Sequence, residues 1–91
     1  MRIIASLEAE RDLENLVDWL AEHSPAASER MLTRYISAIR ALGEYPYLGP
    51  IHSGTTRKLP IKFGRDGLKV LYEVGEHNVL ILRVLHGRQD F

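Results

Sequence analysis

The sequence predicts an α+β fold in the order β-α-α-β-β-β, with a helical hairpin on one face of a small, mainly antiparallel sheet. Three observations carry that prediction. Apolar residues recur at helical spacing through the first half of the chain, strand-like runs fill the second half, and a stretch rich in proline and glycine divides them. With 91 residues there is room for one core, so residues 1–91 are read as one domain.

The elements follow in order. "RIIAS" is a short β-branched run that reads as a first strand, and Ser6 is placed to cap the helix behind it. From Leu7 to Glu22 the residues Leu13, Leu16, Val17 and Leu20 keep the i, i+3, i+4, i+7 spacing of one helical face. In "HSPAAS" the chain breaks and restarts: Ser24 is a good N-cap, and Pro25 fits the first helical position, where its missing N–H costs nothing. The second helix is expected to run to about Leu42, with Ala27, Met31, Leu32, Tyr35, Ile36, Ile39 and Leu42 on or near one stripe and Gly43 ending it.

"YPYLGPIHSGTT" holds two prolines and two glycines, so residues 44–54 read as a loop. Strand candidates follow at 56–61, 67–74 and 78–86, the last two joined by the hairpin-length connection "GEHN". Pro60 confines the first of them to an edge or a short strand, because proline cannot donate to a ladder. No internal repeat is present.

Composition narrows the function classes. Hydrophobic residues make up 45% and charged residues 26%, as in ordinary soluble domains. The lack of cysteine excludes a disulfide framework and any thiolate metal site, and suits a reducing compartment. "MRIIASLEAE" reaches Glu8 before a long apolar run forms, so neither a signal peptide nor a membrane anchor is expected and the protein is placed in the cytoplasm. The net charge is zero but uneven: residues 1–53 carry five Lys/Arg against eight Asp/Glu, and residues 54–91 carry seven against four.

The four histidines, His23, His52, His77 and His86, have no ligand spacing, so no metal is expected. The serines lack a nucleophile elbow and the glycines form no phosphate-binding motif, so no cofactor is expected either. Arg83 is the anomaly. Strict alternation would put Val79, Ile81, Arg83 and Leu85 on one face of the last strand and Leu80, Leu82, Val84 and His86 on the other, leaving both largely apolar. Either a partner covers the face away from the helices, or that face is a shallow concave surface where Arg83 meets an acid; the alternative is that Arg83 pairs within the chain with Glu73 or Glu76.

At the end of that strand "HGR" joins the titratable imidazole of His86 to the permanent cation of Arg88 across Gly87. Such a pair can donate a proton and stabilise a phosphorane-like transition state, although no general base lies at an obvious spacing. Lys58, Lys62, Arg65 and Lys69 are candidates to join Arg88 in a basic groove.

The segments "EAERDLENLVDWLAEHSPAAS", "YPYLGP", "GLKVLYEV" and "ILRVLHGRQDF", in this order over nearly the whole chain, resemble the ParE branch of the RelE/ParE toxin superfamily, often labelled plasmid-stabilisation proteins. The resemblance implies the toxin of a type II toxin–antitoxin module. Its partner would be a cognate antitoxin whose flexible C-terminal segment folds over the toxin and whose other half binds DNA as a repressor. It further implies DNA gyrase as the target and no catalytic set.

The alternative is a RelE-like ribosome-dependent mRNA endonuclease, for which His86 and Arg88 are the catalytic candidates. Members of that kind tend to carry arginine where this strand has Lys69, and an aromatic beyond the tip where this chain ends at Phe91. A third reading is an inactive module that only binds its antitoxin. The residues expected to face the antitoxin or the target are Arg57, Lys58, Lys62, Arg65, Lys69, Arg83, Arg88 and Phe91.

Overall fold

Two serines start the two helices as their positions predict. In the computed structural model, which describes residues 1–88, Ser6 Oγ accepts the Ala9 N–H at 3.1 Å and Ser24 Oγ accepts the Ala27 N–H at 3.2 Å. Strand β1 (Arg2–Ala5) thus leads into helix α1 (Leu7–His23), and α2 (Pro25–Glu44) returns beside it. Four strands follow, β2 (Ile51–Ser53), β3 (Thr56–Ile61), β4 (Leu68–Val74) and β5 (Asn78–His86). One sheet holds all five in the order β1-β5-β4-β3-β2, with β1 parallel to β5 and the other neighbours antiparallel.

The helices cover one face. Met31, Tyr35 and Leu42 of α2 meet Leu59, Ile61, Leu68, Val70, Tyr72, Val79, Ile81 and Val84 of the sheet, while the predicted stripe Leu13, Leu16, Val17 and Leu20 of α1 packs against the same cluster. Ile36, expected on or near the apolar stripe of α2, is exposed instead.

Four local features differ from the expectation. The segment read as loop contains β2, a three-residue edge strand that pairs only with the start of β3. Helix α2 continues through Gly43 to Glu44 and is capped at Tyr45, whose N–H bonds to Ala41 O. Glycine at 43 instead admits β1, since a Cβ there would lie 3.2 Å from the Met1 carbonyl oxygen. Pro60 is inside a paired strand, but the Lys58 N–H points away from β4 to Pro50 O, and Pro60, two residues on, turns its missing donor to the same open side.

The fourth difference decides the faces of β5. A bulge opposite Leu71/Tyr72 places Tyr72 against Ile81 and Leu71 against Arg83. Strict alternation therefore fails after Ile81. Val79, Ile81 and Val84 face the helices, whereas Leu80, Arg83 and Leu85 pair with Glu73, Leu71 and Lys69 on the other side.

Ser6 ties three elements together, since its Oγ also donates to Leu82 O at 2.9 Å and its N–H bonds to Ile81 O at 2.9 Å. Ser6→Ala loses the cap and one strand contact, and should cost about 1–2 kcal/mol in urea unfolding with an unchanged m-value.

Candidate functional site

Arg83 reaches across the sheet edge to the first turns of α1. Its Nε and Nη2 donate to Asp12 at 2.6 and 2.9 Å, and the same carboxylate accepts the Val84 N–H at 3.0 Å. This corrects the intramolecular partners expected from sequence. Glu73 instead accepts the Thr55 hydroxyl at 2.8 Å, and Glu76 lies at the solvated hairpin beside His77. The bidentate bond with Asp12 holds the Arg83 guanidinium above its ordinary pKa. Strand β1 has ended at Ala5, so α1 supplies the acceptor that the β5 edge at Val84 would otherwise lack.

The face away from the helices carries Lys58, Lys69 and Arg83 among Leu71, Leu80 and Leu85. Leu71 and Leu85 are buried even so. A cavity of about 350 Å³ opens there between His52, Thr56, Leu71, Leu82 and Arg83.

The β5 tip is built differently. The Gly87 N–H bonds to Gly67 O at 2.9 Å, and a Cβ at Gly87 would overlap the Asp66 carbonyl oxygen. Arg88 Nε pairs with Asp66 at 3.0 Å, and the Arg88 N–H donates to His86 Nδ1 at 3.3 Å. The tip therefore docks on the β3–β4 loop.

The predicted cations accordingly fall into three places. Lys58, Lys69 and Arg83 share the helix-free face; Lys62, Arg65 and Arg88 gather around the β3–β4 loop. Arg57 stands apart, with Nη1 donating to Gly49 O at 2.8 Å and its guanidinium 4.8 Å from the centroid of the Tyr47 ring. Phe91 lies outside the described residues.

Sequence reading missed the apolar surface beside Arg57. Gly49 is buried, with its N–H donating to Tyr72 Oη at 2.8 Å and its carbonyl held by Arg57, so the loop is pinned at its centre. Around that pin Tyr45, Tyr47, Leu48 and Ile51 are each more than half exposed. The patch continues along an open groove of about 410 Å³ between α2 and β3, lined by Ala38, Ala41, Leu48, Leu59, Pro60 and Ile61. The density of aromatic and aliphatic residues in "YPYLGPI" was the available signal, obscured there by its turn residues.

Among the described residues no group of three or more His, Asp or Glu is placed to hold a metal, and no helix is long and apolar enough to cross a membrane.

A family model described as the ParE toxin of the type II toxin–antitoxin system parDE matches residues 3–91. The chain belongs to this family. Toxin RelE1 of Caulobacter vibrioides is 32% identical to it over 88 residues, which span 97% of this chain and 95% of that protein. Toxin RelE3 of the same bacterium is 33% identical over 78 residues, spanning 86% and 85%. A chain of the solved chromosomal ParDE TA system from P. aeruginosa shares the fold with a TM-score of 0.75 at 18% identity, covering 94% of this chain and 95% of that one. The protein is thus a ParE-family toxin of a type II toxin–antitoxin system, and an antitoxin protein is the partner that membership implies.

Proposed function

We propose that this ParE-family toxin arrests cells by inhibiting DNA gyrase, and that its antitoxin silences it by folding a flexible segment over the exposed apolar patch and groove. The state of the β5 tip carries the first part. A ribonuclease would need His86 and Arg88 turned toward a scissile phosphate, but His86 Nδ1 accepts the Arg88 N–H and the Arg88 side chain pairs with Asp66. Both residues act as parts of a loop clasp. An inhibitor that works by binding alone needs no acid or base.

The second part rests on the patch around Tyr45, Tyr47, Leu48 and Ile51, which sits on a pinned loop and leads into the groove along α2. Large apolar anchors on a rigid support beside a groove suit a partner segment that folds as it binds. The antitoxin's remaining half would be a DNA-binding repressor, and the complex would be cytoplasmic. Cationic Lys58, Lys69 and Arg83 on the helix-free face would then serve contact with the antitoxin or with gyrase.

A second reading, mRNA cleavage on the ribosome, is favoured by one observation: Lys58, Lys69, Arg83 and His52 border a single open face. Expression of the chain alone from a tight promoter separates the readings. Gyrase inhibition predicts double-strand breaks with intact message, and His86→Ala with Arg88→Ala should leave growth arrest within about threefold of the parent, because no chemical step is lost. Ribonuclease action predicts prompt mRNA cleavage that the same double variant reduces by about 10²-fold or more. An unchanged growth rate would leave an inactive antitoxin-binding module.

A further inference from the structure

We infer that the cup between α2 and the β3–β4 loop is a binding site for a nucleotide phosphate. Three cations from two separate elements surround it: Arg34 of α2, and Lys62 and Arg65 of the loop, all exposed. Arg34 is already positioned, since its Nη1 donates to the Lys62 carbonyl oxygen at 2.8 Å while its guanidinium keeps further donors. Among the described residues the single acid in the lining is Asp66, which is committed to Arg88 at 3.0 Å, so these residues present three cations and one carboxylate already paired with a cation.

Shape and lining favour a phosphorylated ligand. The cup encloses about 500 Å³, within the range of sites that take ligands of nucleotide size. Phe63 lines it while packing partly against the core, and Gly64, with φ 58°, gives the loop a left-handed turn that leaves the surroundings of its Cα open. Guanidinium groups match phosphate oxygens bidentately, and Lys62 adds a point charge. A neighbouring cavity shares Arg34 and holds Arg30 one turn earlier on α2 together with Glu29.

This site adjoins the far end of the groove along α2, with which it shares Arg34, Pro60, Ile61 and Lys62, and it does not depend on which cellular target the toxin has. The phosphate has two possible sources, a free nucleotide or a nucleic-acid strand. The test is fluorescence anisotropy of a short labelled single-stranded oligonucleotide with the purified full chain over a range of salt, with adenosine monophosphate and hexaglutamate as competitors. Binding is expected to weaken linearly on a log–log salt plot, and Lys62→Gln with Arg65→Gln should weaken it at least tenfold and flatten the slope by about 1.4, roughly 0.7 per lost phosphate contact on a single strand. These two side chains are exposed, and the Lys62 carbonyl that holds Arg34 is unaffected; a matching thermal melt by circular dichroism checks the fold.

Competition by adenosine monophosphate would assign the site to free nucleotide, and displacement only by unlabelled strand would assign it to nucleic acid; either supports the site. The inference is overturned if nothing phosphorylated binds, if the double variant binds as the parent does, if the loss appears only in Lys58→Gln with Lys69→Gln, or if hexaglutamate competes as well as the unlabelled strand.

Discussion

Asp12→Ala is expected to destabilise the protein by about 3 kcal/mol, because breaking a largely buried ion pair strands the remaining charge. The substitution removes three hydrogen bonds at once, two from the Arg83 guanidinium and one from the Val84 N–H. Side-chain exposures of 33% for Arg83 and 16% for Asp12 put the pair short of full burial, so the lower end of the usual 3–5 kcal/mol applies. Asp12→Asn keeps one acceptor and should recover about 1 kcal/mol of the loss. Urea unfolding of the parent and both variants gives the ranking; a loss below about 0.5 kcal/mol for the alanine would mean that the pair is solvated in effect.

The sign of the pH dependence on the arginine side follows from the raised pKa of Arg83. A raised folded-state pKa contributes stability that is complete below the unfolded value and lost as pH rises through the folded one. For arginine that window lies in strong alkali. Across the physiological range the guanidinium keeps its charge, and the pair is not a pH switch on that side.

Gly49→Ala should have an effect of comparable size by a different route. A Cβ would stand 2.8 Å from the Lys58 carbonyl oxygen and 2.9 Å from Tyr72 Oη, and Tyr72 is fully buried. Either the loop lifts, which breaks the Gly49 N–H bond to Tyr72 Oη, or the tyrosine ring is displaced into a packed core. The cost is about 2–4 kcal/mol, the upper part reflecting a buried hydroxyl left without its donor. Because the loop carries Tyr45, Tyr47 and Leu48, the same variant should bind its antitoxin at least tenfold more weakly under conditions where it remains folded. Tyr72→Phe separates the two effects: it removes only the hydroxyl, should cost about 1–2 kcal/mol, and leaves Gly49 without a clash.

Much of the fold could be read from local signals. Ser6 and Ser24 mark the helix starts, and the spacing of Leu13, Leu16, Val17 and Leu20 identifies the face of α1 that the sheet covers. Strand β3 falls on the six residues expected, because β-favouring runs end at clear punctuation. What escaped reading depends on contacts between distant residues. Asp12 and Arg83 stand 71 positions apart, and the bulge that moves Arg83 to the face away from the helices breaks the alternation on which face assignment relies. Asp12 does sit directly beside the apolar stripe of α1, where an acid is poorly placed for solvent, and that was its one signal.

The candidate site was legible in charge and illegible in grouping. Seven cations after residue 53 mark a basic half, but only strand register shows that Lys58 and Lys69 share a face while Lys62 and Arg65 belong to the loop. The tip "HGR" reads as chemistry in sequence; its clasp on Asp66 and Gly67 requires the β3–β4 loop to fold over it.

The most direct test of gyrase inhibition is to incubate the purified chain with DNA gyrase, ATP and relaxed plasmid, and in parallel with translating ribosomes and mRNA. The account predicts loss of supercoiling with intact message, and full relief when antitoxin is added before the enzyme. Undiminished supercoiling together with mRNA cleaved on the ribosome would contradict it, and would make the β5 tip or the helix-free face an active site.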